Sequence, residues 1–276
     1  MDEVVELPDG RRAQVWLGGA TRGPLVVFAH GCPDTRHAAM TGHEAAVGAG
    51  LRLLAVNRPG YGRSDPDETS QSSVADDLVA VADLLGVERF GLLGMSVGGS
   101  YAVTCAARHP DRVAVLGLVA TQWRTSAGED TVAEAVESAR PEFERWVEGV
   151  APDDPDDNAL AARWRGGLPA PDAALLAEVS DHEVAASVRE ALGNHEGYLR
   201  DAALVFRPWD HAPEEVAAPT YLWLGELDES APPADGMDLG ARIPGASVTV
   251  RPATTHLATL LAHWPDTLRT LRPHLD

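Results

Sequence analysis

Ser96 stands in the stretch FGLLGMSVGGSYA, residues 90–102, with Gly94 two positions before it and Gly98 two after. A serine ahead of a helix ordinarily caps the first free N–H groups, a role that makes no demand on its neighbours. The glycines point to something more. Where a strand turns sharply into a helix, the apical residue takes a strained backbone conformation, and side chains two positions to either side would collide. The pattern G-x-S-x-G therefore predicts a buried strand over 90–94, a helix from Val97 to about His109, and a Ser96 hydroxyl projecting from the turn. Such a hydroxyl can attack a carbonyl if a base takes its proton and an acid orients that base.

His256, in ATTHLATLL, follows the last apolar run and precedes a helical stretch, which puts it in a loop and makes it the candidate base. For the acid, GELDES places Asp228 just past another apolar run; its plainer reading is a loop carboxylate capping the following turn. Glu226 is the fallback acid and Asp210 a weaker one. The chain order Ser96, Asp228, His256 favours Asp228, because that order is expected when all three sit at strand ends of one open sheet. The oxyanion of acyl transfer needs two preorganised N–H donors, each supplying about 3 kcal/mol. Val97, at the helix start, offers one amide. Cys32, after the His30-Gly31 turn in FAHGCPDT, offers the other, with a thiol role ranked below this backbone role. Asp34 in the same loop either lines the site mouth or caps a turn, and the turn is favoured. His37 and His43 lack the i,i+4 spacing of a helical metal pair, and no Cys/His cluster occurs, so neither a metal site nor a cofactor is expected.

The elements that must hold these groups follow from the apolar runs PLVVFAH (24–30), LRLLAV (51–56), FGLLG (90–94), VAVLGLV (113–119), PTYLWLG (219–225) and SVTV (247–250). Helix-compatible stretches at Ala38 to Ala49, Ser73 to Leu85, Ser100 to Arg108 and Ala234 to Arg242 fall between or beside them. Strands alternating with helices predict an α/β fold with a mostly parallel sheet covered on both faces. VVEL, PDG and AQVWL predict an antiparallel hairpin at the sheet edge. From about Thr121 to Trp209 acidic, Ala-rich amphipathic segments replace the strands, with APDDPDDNA joining two helices. The expected organisation is a core of residues 1–120 and 210–276 with a helical lid, 121–209, over the strand ends. Trp123, Trp146, Trp164 and Trp209 lie in or beside that lid, their default role being packing.

The 276 residues carry a formal net charge of -20 and contain no lysine, a balance that disfavours nucleic acid and other anionic partners. A hydrophobic share of 45% with 23% charged residues is ordinary for a soluble globular protein; the expected partner is a small-molecule substrate, with a homodimer admitted. No run is long enough to span a membrane and the acidic start lacks an apolar signal region, so a cytoplasmic location is expected. Two cysteines, Cys32 and Cys105, make no disulfide framework, and Cys105 reads as a small core residue.

Taken together, HGCP, NRPGYGRSD, GMSVGG, GELD and THL resemble the α/β-hydrolase superfamily, in the group with a helical cap, over essentially the whole chain. The resemblance implies a carboxylic ester, lactone or thioester hydrolase working through an acyl-enzyme on Ser96. Two departures stand out: Asn57 where relatives usually carry Asp, and Thr254-Thr255 where a glycine commonly precedes the histidine. Serine at the elbow speaks against epoxide-hydrolase and haloalkane-dehalogenase chemistry, for which this superfamily uses Asp. The scaffold also admits an amidase or aminopeptidase, although HGCP differs from the HGGPG usual in prolyl iminopeptidases. A non-hydrolytic binder or a cyclase on the same fold is the alternative of a different class.

Overall fold

The computed structural model describes residues 2–123 and 131–276. In chain order the elements are β1 (Asp2–Glu6), β2 (Arg12–Gly19), β3 (Leu25–Ala29), α1 (His37–Met40), α2 (His43–Gly48), β4 (Arg52–Val56), α3 (Gln71–Leu84), β5 (Phe90–Met95), α4 (Gly98–Arg108) and β6 (Val113–Val119). Then come α5 (Val132–Val150), α6 (Asp157–Gly166), α7 (Ala170–Leu176), α8 (Asp181–Leu192), α9 (His195–Val205), β7 (Thr220–Gly225), α10 (Pro233–Arg242), β8 (Ser247–Arg251), α11 (Ala258–Leu261) and α12 (Trp264–Leu271).

The sheet has eight strands in the order β1-β2-β4-β3-β5-β6-β7-β8. β1 and β2 form the antiparallel hairpin at one edge, β2 joins β4 antiparallel, and every later pairing is parallel. The central strands β3, β5 and β6 are buried along their whole length, which is why they read as unbroken apolar runs and not as alternations. Successive residues feed two different cores. Leu25, Val27 and Ala29 pack with α3, α4 and α10 on one face, while Val26 and Phe28 pack with α1, α2, α11 and α12 on the other. Cys105 lies in the first of these, wholly buried, its thiol donating to the Ala75 carbonyl of α3.

One expected helix divides, and one amphipathic stretch of the expected lid forms two helices. The stretch 38–49 is α1 and α2, broken at Gly42, where a Cβ would stand 2.7 Å from the Trp264 indole. The segment DAALLAEVSDHEVAASVREAL is α7 and α8, because Ser180 opens a new helix with a capping box to Glu183.

Between β6 and β7 the helices α5, α6, α8 and α9 build a core of their own from Val136, Phe143, Leu160, Val188 and Leu199, among others. Residues 124–130 of the expected lid lie outside the described residues. Thr131 starts α5 with a capping box to Glu134, and α5 continues through Pro141. Of the tryptophans, Trp123 and Trp209 are buried edge to face at 4.8 Å, with Trp123 donating to Asp238. Trp146 is 39% exposed and packs between Trp164 and Tyr198. Among the described residues no helix is long and apolar enough to cross a membrane.

Candidate active site

Ser96 follows β5 directly and adopts φ 55, a left-handed conformation that costs a residue with a Cβ about 1–2 kcal/mol. Its amide donates to the Val119 carbonyl at 2.9 Å, so the turn is tied to β6. The flanking glycines are required on steric grounds. A Cβ on Gly94 would meet Ala102, Gly98 and Gly99 at 2.8 Å, and one on Gly98 would stand 2.1 Å from the Ala29 carbonyl oxygen. Helix α4 therefore begins pressed against the end of β3, and the chain beyond β3 comes down onto Ser96. A Cβ on Gly31 would lie 3.4 Å from that of Ser96. The amides of Cys32 and Val97 donate to no protein acceptor among the described residues.

His30 and Arg58 shape this loop. Wholly buried His30 shares a 2.9 Å hydrogen bond between Nδ1 and the Gly31 carbonyl, and its Nε2 accepts from the Arg58 amide at 3.2 Å. Since Gly31 can only accept and the Arg58 N–H can only donate, the ring is neutral with its proton on Nδ1. Burial, reinforced by the Arg58 charge, holds its pKa well below the usual histidine value. Arg58 donates from Nη1 to the His30 carbonyl at 2.5 Å and from Nη2 to the Gly31 carbonyl at 2.7 Å. Two successive carbonyls thus face one guanidinium.

Asp228 and His256 meet across the loops after β7 and β8, with His256 Nδ1 2.8 Å from Asp228 Oδ2. The second oxygen, Oδ1, accepts from the amides of Ser230 at 2.9 Å and Ala231 at 2.8 Å. With its side chain 0% exposed, this carboxylate is fully occupied and fixed in place. Nδ1–H of His256 therefore points at Asp228, leaving Nε2 as the accepting nitrogen. The Ser96 hydroxyl has no hydrogen bond to His256 among the described residues, and hydrogen bonds of this kind often tighten only as substrate binds. Glu226 accepts from the Ala253 amide at 2.8 Å and Asp210 from the Ser72 amide at 2.8 Å, so neither pairs with His256.

Asp34 accepts from the Thr35 amide at 2.7 Å, the turn role favoured for it. Its Cβ also lies 3.9 Å from the Cβ position of Gly31, and burial raises its carboxyl to about 7. The Cys32 sulfur lies 3.4 Å from Tyr61 Oη, whose proton goes to Asp201, and its thiol donates toward the Tyr198 carbonyl at 3.9 Å; burial, with the nearby Asp201 charge, pushes its pKa well up. A protonated, engaged thiol is a poor nucleophile. Among the described residues no group of three His, Cys, Asp or Glu could hold a metal ion.

Three acidic residues of the insertion reach this region and are absent from the sequence-based expectation. Asp201 of α9 accepts from Tyr61 and Tyr101, each at 2.6 Å, and pairs with Arg58 at 2.5 Å. Asp172 of α7 accepts from Thr255 Oγ1 at 2.5 Å and the Ala258 amide at 3.0 Å. Glu190 of α8 pairs with Arg36 at 2.7 Å and accepts from Asn57 Nδ2 at 2.7 Å. These contacts account for both departures from the family pattern. An Asp at 57 would set two carboxylates against each other where Asn57 donates to Glu190. A glycine at 255 would remove the hydroxyl that Asp172 holds. The available signal was an acid on the apolar stripe of a helix: Asp201 falls in register with buried Gly197, Leu204 and Val205.

A family model described as alpha/beta hydrolase fold matches residues 24–262. Epoxide hydrolase B from Mycobacterium tuberculosis is 36% identical over 102 residues, which are 35% of this chain and 29% of that enzyme. The matched segment is thus under a third of that relative's length. A pimeloyl-[acyl-carrier protein] methyl ester esterase from Chromobacterium violaceum is 28% identical over 232 residues, 80% of this chain and 82% of the relative. In fold, a thermophilic esterase from Thermogutta terrifontis superposes with a TM-score of 0.75 at 23% identity, covering 100% of both chains. The family match takes in the serine turn, the Asp228–His256 pair and the whole helical insertion, and the chain belongs to the alpha/beta hydrolase fold family.

Proposed function

We propose that this protein is a serine hydrolase that cleaves a carboxylic ester, lactone or thioester of a small molecule through an acyl-enzyme. The observation that carries the reading is the Asp228–His256 pair, 2.8 Å apart, at the same end of the sheet as the strained Ser96 turn. In the proposed reaction His256 Nε2 takes the Ser96 proton as Oγ bonds to the carbonyl carbon. The carbonyl π electrons move onto oxygen, which the Cys32 and Val97 amides receive. Collapse of this adduct breaks the bond to the leaving group, which departs with the proton from His256. Water then gives a proton to Nε2 and attacks the acyl-enzyme, releasing the acid and returning the proton to Ser96. Throughout, Asp228 keeps the Nδ1–H tautomer in place. The hydroxyl at 96 in place of a carboxylate argues against the alkyl-enzyme route of epoxide opening, despite the partial match to epoxide hydrolases.

Intact-mass analysis after exposure to a fluorophosphonate probe tests the reading. One adduct per chain is expected for the wild type and none for Ser96→Ala or His256→Ala. Labelling that survives Ser96→Ala would refute the nucleophile. A folded wild type that takes no label but binds small molecules tightly would favour a non-hydrolytic binder.

A further inference from the structure

The helical insertion reaches the candidate site through buried carboxylates, and each ends on a different loop. Asp201 is 2% exposed and Arg58 4%, an ion pair enclosed by the two tyrosine hydroxyls that also donate to Asp201. The same guanidinium holds the carbonyls of His30 and Gly31, the two residues just before the Cys32 amide. Asp172, 1% exposed, grips Thr255 and the Ala258 amide, which bracket His256 on both sides. The partners of both acids come from outside the insertion: Arg58 and Tyr61 from the loop after β4 and Tyr101 from α4 for Asp201, Thr255 and Ala258 for Asp172. A buried charge is costly unless paired, and such pairs are best attested where they fix one arrangement among several.

We propose that Asp201 and Asp172 are positioning residues, Asp201 setting the oxyanion donor of Cys32 by way of Arg58 and Asp172 setting the loop that carries His256. The insertion is then half of the catalytic frame as well as a cover: α9 governs where negative charge is received and α7 where the proton goes. This inference rests on the serine-hydrolase reading above. Its chemistry predicts a division of labour that a purely structural role would not produce. Loss of Asp201 should weaken hydrogen bonding to the oxyanion and leave the base in place, while loss of Asp172 should do the reverse.

The test compares p-nitrophenyl acetate with its thionoester. Sulfur accepts hydrogen bonds poorly, so the preference for the oxygen ester reports on the oxyanion donors. Asp201→Asn is expected to lower kcat with little change in KM and to shrink that preference by about tenfold or more. Asp172→Asn is expected to lower kcat with the preference intact. Should Asp201→Asn fail to fold, Arg58→Lys serves in its place, because an ammonium can face Asp201 but cannot also fork onto two carbonyls. Amide hydrogen exchange on the same proteins reads the loops without turnover: faster exchange at 30–32 for Asp201→Asn or Arg58→Lys, and at 254–258 for Asp172→Asn. An unchanged ester preference in folded Asp201→Asn or Arg58→Lys, or exchange rising equally in both loops for either variant, would overturn the proposal. If the wild type neither turns over these esters nor takes the fluorophosphonate label, the serine-hydrolase reading has failed, and exchange alone decides whether the two acids hold their loops.

Discussion

Replacing Ser96 by glycine should leave the protein more stable than replacing it by alanine, although both remove the proposed nucleophile. At φ 55 a residue bearing a Cβ pays roughly 1–2 kcal/mol that glycine does not. Against this, glycine at an ordinary position destabilises by roughly 0.5–1 kcal/mol relative to alanine, through the freedom it gains on unfolding. Alanine is the right comparison because it deletes the hydroxyl and keeps the Cβ. With both terms, Ser96→Gly should exceed Ser96→Ala in stability by up to about 1.5 kcal/mol, whereas without strain it would fall below by about 0.5–1 kcal/mol. For a chain of this size, 1 kcal/mol moves Tm by about 2–4 °C. Urea unfolding of both variants at pH 7, with equal m-values, measures the difference. Ser96→Ala proving the more stable would refute the claim that the turn stores strain.

Asp228→Asn should lower kcat by about 10⁴ with the fold retained. Its carbonyl oxygen must stay on the Ser230 and Ala231 amides, which turns the NH2 toward His256 Nδ1 and forces the proton onto Nε2. Steady-state kinetics with a circular-dichroism control check this, and a loss under tenfold would count against it. Gly98→Ala, whose methyl would stand 2.1 Å from the Ala29 oxygen, should destabilise by about 1–3 kcal/mol and depress fluorophosphonate labelling by moving the Val97 amide. Asp34→Asn should gain stability over the wild type as pH rises. The folded carboxyl titrates near 7 and the unfolded one near 3.8, so between these values the folded state keeps a proton that the unfolded state has lost, and wild-type stability falls with increasing pH. The variant's advantage should be absent at pH 4 and reach about 1–2 kcal/mol by pH 8, a figure discounted for the side chain's partial exposure. Thermal unfolding at several pH values tests it, and an advantage that shrinks upward would reverse the sign argued here.

The sheet was legible because its central strands are buried on both faces, so PLVVFAH and VAVLGLV announce themselves by apolar continuity alone. The Ser96 turn was legible because G-x-S-x-G records a steric requirement, visible in what a methyl at Gly94 or Gly98 would strike. Asp228 and His256 could be placed by loop position and chain order. The break of α1 from α2 at Gly42 was not, because its cause is Trp264, far along the chain, lying where a side chain would go. Asp172, Glu190 and Asp201 were hidden for the same reason: an acid in an acidic, Ala-rich helix reads as solvated until the partner from another element is known. Arg58, Tyr61 and Tyr101, from two further segments, decide that Asp201 is buried.

The placement of the two thiols gives the molecule a pair of internal clocks. Cys105 sits in the central core between α3 and α4, its pKa raised by burial to about 12, whereas Cys32 sits at the seam where α9 meets the chain beyond β3. Burial raises the pKa of both thiols, with Cys105 fully enclosed and Cys32 partly so, and alkylation of each is expected to speed up when the structure around it opens. Parting of the seam releases Cys32 alone, and only loss of the central core releases Cys105. Because the chain holds two cysteines and no lysine, timed iodoacetamide treatment followed by intact mass resolves the two events as successive single additions. The interval between them measures how far the helical insertion moves independently of the sheet.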